Sequence, residues 1–185
     1  MPHIPECIFF FGLSPQTTSL ALFLLVFKEN SFSMKKTIIY LFPILLCMLV
    51  GFSASIFQSS AISEWYPLLN KSVLSPPNLA FPIVWGVLYI CIGLSLGRLT
   101  ARGQGKGLIS LWVAQLIVNF LWSIFFFYFR NPLIGFIDII VLDLLVIAYI
   151  FWAARRDRAA GWLFVPYLLW ILLATYLNGY VLINN

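Results

Sequence analysis

The sequence predicts an all-α membrane protein whose fold is a bundle of five transmembrane helices. Hydrophobic residues make up 62% of the 185 residues and charged residues only 9%, about a third of the charge that a soluble domain carries. Five apolar segments each reach the roughly 20 residues that a helix needs to cross a bilayer. They lack the alternating pattern of β-barrel strands, and in lipid a helix satisfies its own backbone hydrogen bonds. We therefore expect a multi-pass integral membrane protein with one domain.

The five helices follow the apolar segments along the chain, with short breaks between the later ones. Gly103, Gly105 and Gly107 interrupt the chain after the second helix, and Asn131-Pro132 makes a tight turn after the third. The helices are predicted at residues 37–57, 80–99, 108–129, 132–154 and 160–182.

Residues 1–33 precede these helices and have a different character. Their apolar runs are too short to span a membrane, and Met34-Lys35-Lys36 before an apolar run is typical of a natural protein start. No basic stretch precedes the first apolar run, which argues against a cleaved signal peptide. We interpret residues 1–33 as a disordered leader or an over-extended gene start, and residues 34–185 as the membrane domain.

The connection between the first two helices, residues 58–79, is too long for a tight turn and carries the aromatic pair Trp65-Tyr66. Two adjacent prolines, Pro76 and Pro77, fix the backbone and remove two donors, so the loop leads rigidly into the second helix. Long ordered loops are often functional. We therefore expect residues 58–79 to form a lid over a ligand pocket.

Basic residues are concentrated on one side of the predicted bundle. Only Lys71 and Arg130 lie on the other side. By the positive-inside rule the N-terminus is cytoplasmic, and the lid and the C-terminus lie outside, if a bacterial inner membrane holds the chain. The short clusters between apolar runs are topology signals, so the net charge of +5 does not indicate nucleic acid binding. The eight residues on the basic side are Lys35, Lys36, Arg98, Arg102, Lys106, Arg155, Arg156 and Arg158.

The composition also excludes several classes of active site. The only histidine is His3, at the extreme N-terminus, so a Ser-His-Asp or Cys-His site is not expected. The cysteines, Cys7, Cys47 and Cys91, have neither metal-ligand nor disulfide spacing. We expect no metal site.

Polar and aromatic side chains share helix faces within the predicted spans. Gln115, Asn119 and Trp122 lie on one face of the third helix, and Trp170 and Asn178 on one face of the fifth, because residues three, four, seven or eight apart share a face. We expect these faces to converge on a cavity under the lid. Such a cavity suits a large, flat, mostly apolar ligand with a few polar edges. The residues expected around it are Tyr66, Pro76, Pro77, Trp85, Tyr89, Asn119, Trp122, Asp143, Trp170, Ala174 and Asn178.

Each of these residues also has a structural explanation. Asn119 can be a hydrogen-bonding contact between helices. Asp143, a carboxylate near the bilayer centre, can link helices as readily as it can act in a site. Trp85 could equally belong to the aromatic belt at the membrane surface, and that belt is the better explanation for Trp112, Trp152 and Trp162 near helix ends. The sequence leaves these alternatives open.

Five stretches carry a family resemblance: WYPLLNKSVLSPP and VWGVLY between residues 65 and 89, QLIVNFLW at 115–122, LDLLVI at 142–147, and PYLLWILLATYLN at 166–178. With them the sequence resembles the TspO/MBR family, the tryptophan-rich sensory proteins related to the mitochondrial translocator protein (peripheral benzodiazepine receptor). The stretches occur in the expected order along the chain, so the resemblance is specific.

The resemblance implies a five-helix bundle, commonly a homodimer, whose pocket binds porphyrins, haem-like tetrapyrroles, sterols or isoquinoline-type drugs and requires no cofactor. It implies pocket roles for every residue in the set above except Tyr89. The family's cholesterol-recognition pattern is incomplete here, because no Lys or Arg follows Tyr180. This departure favours a tetrapyrrole over a sterol.

The leading hypothesis is therefore a porphyrin-binding sensor or carrier in the membrane. An alternative is an enzyme that degrades porphyrin in light, with Trp85 and Trp170 as catalytic, oxidisable rings beside the macrocycle. A further alternative is a transporter of small molecules or lipids. It has less support, because the chain shows neither inverted repeats nor paired broken helices.

Overall fold

The structure is a computed structural model that describes residues 15–103 and 106–185, with side chains from residue 36 onward. Two compact units are distinguished, Met1–Ile38 and Ile39–Asn185. The described residues of the first unit are helical. The second unit contains the hydrophobic core and the cavity discussed below.

Within the described residues, five helical segments are long enough and apolar enough to cross a membrane, which confirms the predicted fold class. A short 3-10 turn, Tyr66–Leu68, lies in the first loop, and a π-helical turn, Ile124–Tyr128, extends the third span. The helices are α1 (Pro15–Glu64), α2 (Ala80–Ala101), α3 (Lys106–Ser123), α4 (Pro132–Arg156), α5 (Arg158–Trp162) and α6 (Val165–Asn184).

The first helix is longer than predicted at both ends, beginning at Pro15 instead of residue 37 and ending at Glu64 instead of residue 57. Proline is favoured in the first turn of a helix, and no further Pro or Gly occurs before Pro43 to interrupt it. The interpretation of residues 1–33 as a leader stays a prediction. Its residues 1–14 lie outside the described part of the chain.

The predicted fifth helix is divided into α5 and α6. Pro166 has no N–H to donate to the preceding turn, which weakens the helical hydrogen-bond ladder there. At the junction between α5 and α6 a backbone hydrogen bond joins residues three apart instead of four: the N–H of Phe164 donates to the carbonyl of Gly161 at 3.0 Å. The remaining helix ends agree with the predictions to within about two residues, inside the usual uncertainty.

Side-chain caps explain where α4 and α5 begin. The Asn131 side chain accepts hydrogen bonds from the N–H groups of Leu133 and Ile134, both at 3.1 Å. Asp157 accepts one from the N–H of Ala159 at 3.0 Å. Such caps satisfy amides that have no partner within the helix.

The tryptophans near helix ends differ in how far their side chains are exposed. Trp112 is only 1% exposed, and its indole N–H donates to the carbonyl of Ile92 on α2 at 3.1 Å. The expectation of an interfacial position for Trp112 is therefore wrong, because this side chain faces the neighbouring helix. Trp152 and Trp162 are 52% and 70% exposed, as belt residues would be.

Two glycines of α2 let α1 approach closely. A Cβ atom on Gly93 would lie 2.6 Å from the Cα of Ile44, and one on Gly97 would lie 3.1 Å from the Cα of Tyr40. Small residues spaced by four permit such backbone contacts between membrane helices. This contact lies within one chain and positions α1 as a wall of the cavity.

Candidate functional site

A cavity of about 400 Å³ lies between α1, α2, α3 and α6, beneath the loop that joins α1 to α2. Its walls are mainly aromatic and aliphatic, with a small number of amide and hydroxyl groups. The volume falls within the range of about 300–1,000 Å³ that is usual for small-molecule sites. The helical residues that line it include Met48, Gly51, Phe52, Ser55, Gln58, Phe81, Trp85, Gly86, Tyr89, Asn119, Trp122, Ser123, Phe127, Trp170, Leu173, Ala174 and Leu177.

Eight of the eleven residues predicted around a cavity do line this one. They come from the loop, α2, α3 and α6, so the helix faces inferred from residue spacing converge as expected. Whether they bind a ligand stays a prediction. The eight are Tyr66, Pro76, Trp85, Tyr89, Asn119, Trp122, Trp170 and Ala174.

The other three predicted residues do not line the cavity. Pro77 is exposed on the loop. Asp143 is buried, and one of its carboxylate oxygens accepts a hydrogen bond of 2.8 Å from the Thr175 hydroxyl, which links α4 to α6. The structural alternative for Asp143, a hydrogen-bonded contact between helices, is the one that the geometry supports.

Asn178 lies behind the cavity and orients one of its walls. Its side-chain oxygen accepts a hydrogen bond of 3.2 Å from the indole N–H of Trp122, and its amide donates to the carbonyl of Pro132 at 2.8 Å. Pro132 is the first residue of α4, so this hydrogen bond joins the start of α4 to α6. Asn178 therefore fixes Trp122 without reaching the cavity itself.

Aromatic contacts hold the indole rings of the cavity in place. Trp85 stacks on Tyr89, with ring centroids 5.2 Å apart and an interplanar angle of 28°. Trp170 makes an edge contact with Phe81 at 5.7 Å. Such pairs add about 0.5–1.5 kcal/mol beyond simple burial. The rings are thus preorganised as flat apolar walls.

α1 contributes a wall of the cavity that was not predicted from the sequence. Gly51, Ser55, Gln58 and Ile62 line the cavity with helical spacings of three and four residues. The Gln58 amide donates to the Ser123 hydroxyl of α3 at 2.7 Å. Small and polar residues at this spacing in an apolar segment were the available signal. The predicted helix ended at residue 57, which placed Gln58 in a loop.

The loop over the cavity is tied down at two points. The Ser72 and Tyr176 hydroxyls lie 3.1 Å apart. The backbone N–H of Asn70 donates to the Asn185 side-chain oxygen at 2.9 Å, and the Asn70 side chain donates to the carbonyl of Asn184 at 3.1 Å. The end of α6 therefore holds the loop as a latch, and we call this set of Asn70, Asn184 and Asn185 the asparagine latch.

Tyr66 closes the cavity from the loop. Its ring lies 5.8 Å from that of Phe127, and the Lys71 ammonium lies 4.8 Å from its centroid. Burial raises the pKa of the Tyr66 hydroxyl above its usual value of 10.0, so the group is neutral at ordinary pH. Its hydroxyl can serve a ligand as a hydrogen-bond donor or acceptor.

The polar groups of the cavity favour binding over acid–base chemistry. Asn119 and Gln58 offer amides, and Tyr89 offers a hydroxyl. No carboxylate is among the lining residues in the described part of the chain. Among the described residues, no three His, Cys, Asp or Glu side chains are grouped so that they could hold a metal ion. The arrangement can orient the polar edge of a mostly apolar molecule.

Comparison with known proteins gives consistent matches over the membrane domain. The sequence pattern of the TspO/MBR family matches residues 43–183. The chain is 36% identical over 144 residues to a tryptophan-rich protein TspO of Chlorobaculum tepidum, covering 76% of this chain and 91% of that protein. It is 38% identical over 144 residues to a tryptophan-rich protein TspO of Archaeoglobus fulgidus, covering 77% and 94%. The protein CrtK of Rhodobacter capsulatus is 33% identical over 138 residues, covering 71% and 83%.

Proposed function

The chain belongs to the TspO/MBR family of membrane proteins, and from this premise we propose that its cavity binds a tetrapyrrole such as a porphyrin or haem-type ring. In this proposal the protein acts as a sensor or carrier, with the ligand inside the helix bundle under the first loop. No further cofactor takes part. A homologue from Cereibacter sphaeroides is named a tryptophan-rich sensory protein, which favours the sensor.

The observation that carries the proposal is the pairing of flat aromatic walls with few polar groups in one cavity. Trp85, Trp122 and Trp170 lie on three different helices and all line it. Aromatic rings prefer offset-stacked or edge contacts with other π systems, and a porphyrin is a large planar π system. The amides of Asn119 and Gln58 would meet its polar edge.

A titration of the full-length protein in detergent with protoporphyrin tests the proposal. We expect a saturable shift of the porphyrin absorption band and quenching of tryptophan fluorescence. Ala174→Phe should weaken binding at least about tenfold, because the added ring fills part of the cavity. Leu172→Phe is the matched control, since Leu172 is 45% exposed on the outer face of the same helix.

A binding curve for Ala174→Phe that matches the unmodified protein would refute the assignment of this cavity. Absence of any saturable shift in the unmodified protein would refute the tetrapyrrole itself. A parallel titration with a sterol would then identify the alternative apolar ligand.

The light-dependent degradation of porphyrin is the second candidate, because the structure supplies two oxidisable indoles, Trp85 and Trp170, in the same cavity. The same samples are illuminated after titration. A sensor leaves the porphyrin spectrum unchanged in light, whereas an enzyme causes protein-dependent loss of the main absorption band. In the second case, Trp85→Phe or Trp170→Phe should abolish that loss while leaving the affinity within about threefold, since phenyl rings keep most of the contact area.

The proposal extends to assembly and orientation. A homodimer is expected, and the mass of the protein in detergent, measured by light scattering, tests it. The cytoplasmic N-terminus is tested by labelling single cysteines introduced at Lys71 and Arg156, which the positive-inside rule places on opposite sides.

A further inference from the structure

We propose that the end of the bundle opposite the cavity carries a binding site for the phosphate headgroup of an acidic phospholipid. An open groove of about 880 Å³ lies there between α1, α2 and α5. It combines two arginines, Arg98 and Arg158, with aromatic and aliphatic side chains, Tyr40, Leu94 and Trp162. The site is separate from the porphyrin cavity, and the inference does not depend on the proposed function.

One cation of the groove is held rigidly. Asp157, only 4% exposed, accepts hydrogen bonds from Nε and Nη2 of Arg98 at 2.9 and 3.3 Å. Nε of Arg102 lies 3.3 Å from the same carboxylate. A guanidinium fixed in this way keeps further N–H groups for a second acceptor and loses little freedom on binding it.

The local charge is positive after this pairing. Asp157 is shared by Arg98 and Arg102, and Arg158 makes no ion pair with any described residue. Among the described residues, the three guanidinium groups of Arg98, Arg102 and Arg158 are matched here by the single carboxylate of Asp157, which leaves two positive charges unneutralised. A phosphate diester supplies the complementary charge, and basic pockets between membrane helices bind such headgroups.

α5, which forms another wall of the groove, is also fixed in place. The Ser95 hydroxyl of α2 donates to the carbonyl of Ala160 in α5 at 2.7 Å and lies 3.0 Å from the Tyr149 hydroxyl. Asp157 caps the N–H of Ala159, the first residue after Arg158. The groove is therefore preformed between α2 and α5, and binding does not require it to reorganise.

The apolar part of the groove identifies a lipid as the source of the phosphate. Trp162 is 70% exposed, a position typical of the level of the headgroups in a membrane. Tyr40 and Leu94 extend the groove along α1 and α2, within segments that are long and apolar enough to cross a membrane. A free phosphate ion would use the arginines only, whereas a phospholipid also covers this apolar surface.

The test compares Arg158→Gln with Arg156→Gln in the full-length protein. Both residues are exposed, lie two positions apart and carry the same charge, but Arg156 does not line the groove. Each protein is placed in mixed micelles with phosphatidylglycerol or phosphatidylcholine, and bound lipid is counted by native mass spectrometry. Inorganic phosphate at millimolar concentration serves as competitor.

We expect the unmodified protein and Arg156→Gln to retain phosphatidylglycerol in preference to phosphatidylcholine. Arg158→Gln should lower phosphatidylglycerol affinity about five- to tenfold, as expected for about 1 kcal/mol per basic residue at an anionic surface. An equal loss in the two variants would overturn the proposal, because it would show general charge attraction. Unchanged retention by Arg158→Gln, or full displacement by phosphate, would also overturn it. Circular dichroism of both variants verifies that the helices remain folded.

Discussion

Replacing Gly93 by alanine should force α1 away from α2. The new Cβ would lie 2.6 Å from both the Cα and the nitrogen of Ile44, and these backbone atoms cannot rotate aside as a side chain can. Ordinary contact begins near 3.4 Å, so the two helices would have to separate by about 0.8 Å. Gly86, seven residues earlier on the same helix, has no heavy atom from another part of the described chain within 4 Å of the corresponding position.

The magnitude follows from two opposing effects. Inserting a methyl group into a tightly packed contact costs about 1–3 kcal/mol. Alanine in place of glycine within a helix gains about 0.5–1 kcal/mol. Gly86→Ala should show the gain alone, whereas Gly93→Ala should show both effects. The free energies of unfolding of the two variants should therefore differ by about 1–3 kcal/mol, with Gly93→Ala the less stable.

Reversible unfolding by SDS in mixed micelles, followed by circular dichroism and tryptophan fluorescence, measures this difference. A Gly93→Ala protein as stable as Gly86→Ala would refute the close contact between α1 and α2. Because α1 supplies one wall of the cavity, porphyrin affinity should fall in Gly93→Ala as well. A loss of affinity without any loss of stability would indicate that the substitution acts on the cavity and not on the helix contact.

Two further predictions concern the ends of the bundle. Asp157→Asn should lower the free energy of unfolding by about 1.5–3 kcal/mol at pH 7, since it removes charge-assisted hydrogen bonds to Arg98. Burial alone would raise the pKa of Asp157, but Arg98, the Ala159 amide and Arg102 together lower this pKa below its usual 3.8. The stabilisation is therefore complete above pH 3.8 and is lost as the pH falls through the lowered pKa. The difference in the free energy of unfolding between the two proteins should stay constant near neutral pH and shrink as the pH is lowered below 3.8, and equal stability at pH 7 would contradict the ion pair. Asn185→Ala should open the asparagine latch, with faster hydrogen exchange in the loop and about three- to tenfold faster porphyrin dissociation in stopped-flow experiments. Asn184→Ala is its control, because among the described residues the hydrogen bond from Asn184 to the loop uses its backbone carbonyl, while its side chain donates to the carbonyl of Tyr180 in the same helix, and equal exchange rates in the two variants would exclude the latch.

The length of the apolar segments, and the Gly and Pro residues that separate them, made the membrane spans predictable from the sequence. A run of about 20 apolar residues has few alternatives to a membrane-spanning helix. The start of α4 was predictable as well, because Asn131 caps the helix and Pro132 suits its first position. The same local rules failed at the start of α1, where a mixture of polar and apolar residues without Pro or Gly continues the helix back to Pro15.

Residue spacing also predicted which side chains share a face, but not always what that face contacts. Trp170 and Ala174 line the cavity as their spacing suggested, while Asn178, four residues further along the same face, lies behind Trp122. The face of α6 extends past the cavity to the start of α4, and only the packing of the helices shows where the cavity ends.

Hydrophobicity and helical period are local properties, so membrane-spanning helices with aromatic and amide-bearing faces can be predicted from the amino-acid order alone. What those faces contact depends on how the helices pack. This packing buries Trp112 against α2 while leaving Trp162 exposed, uses Asp143 as a link to Thr175, and brings Gln58 of α1 to the cavity. Lipid and a neighbouring helix are both apolar surroundings, so hydrophobicity cannot distinguish them. Close packing and paired hydrogen bonds select the neighbour, and these depend on residues far apart in the chain.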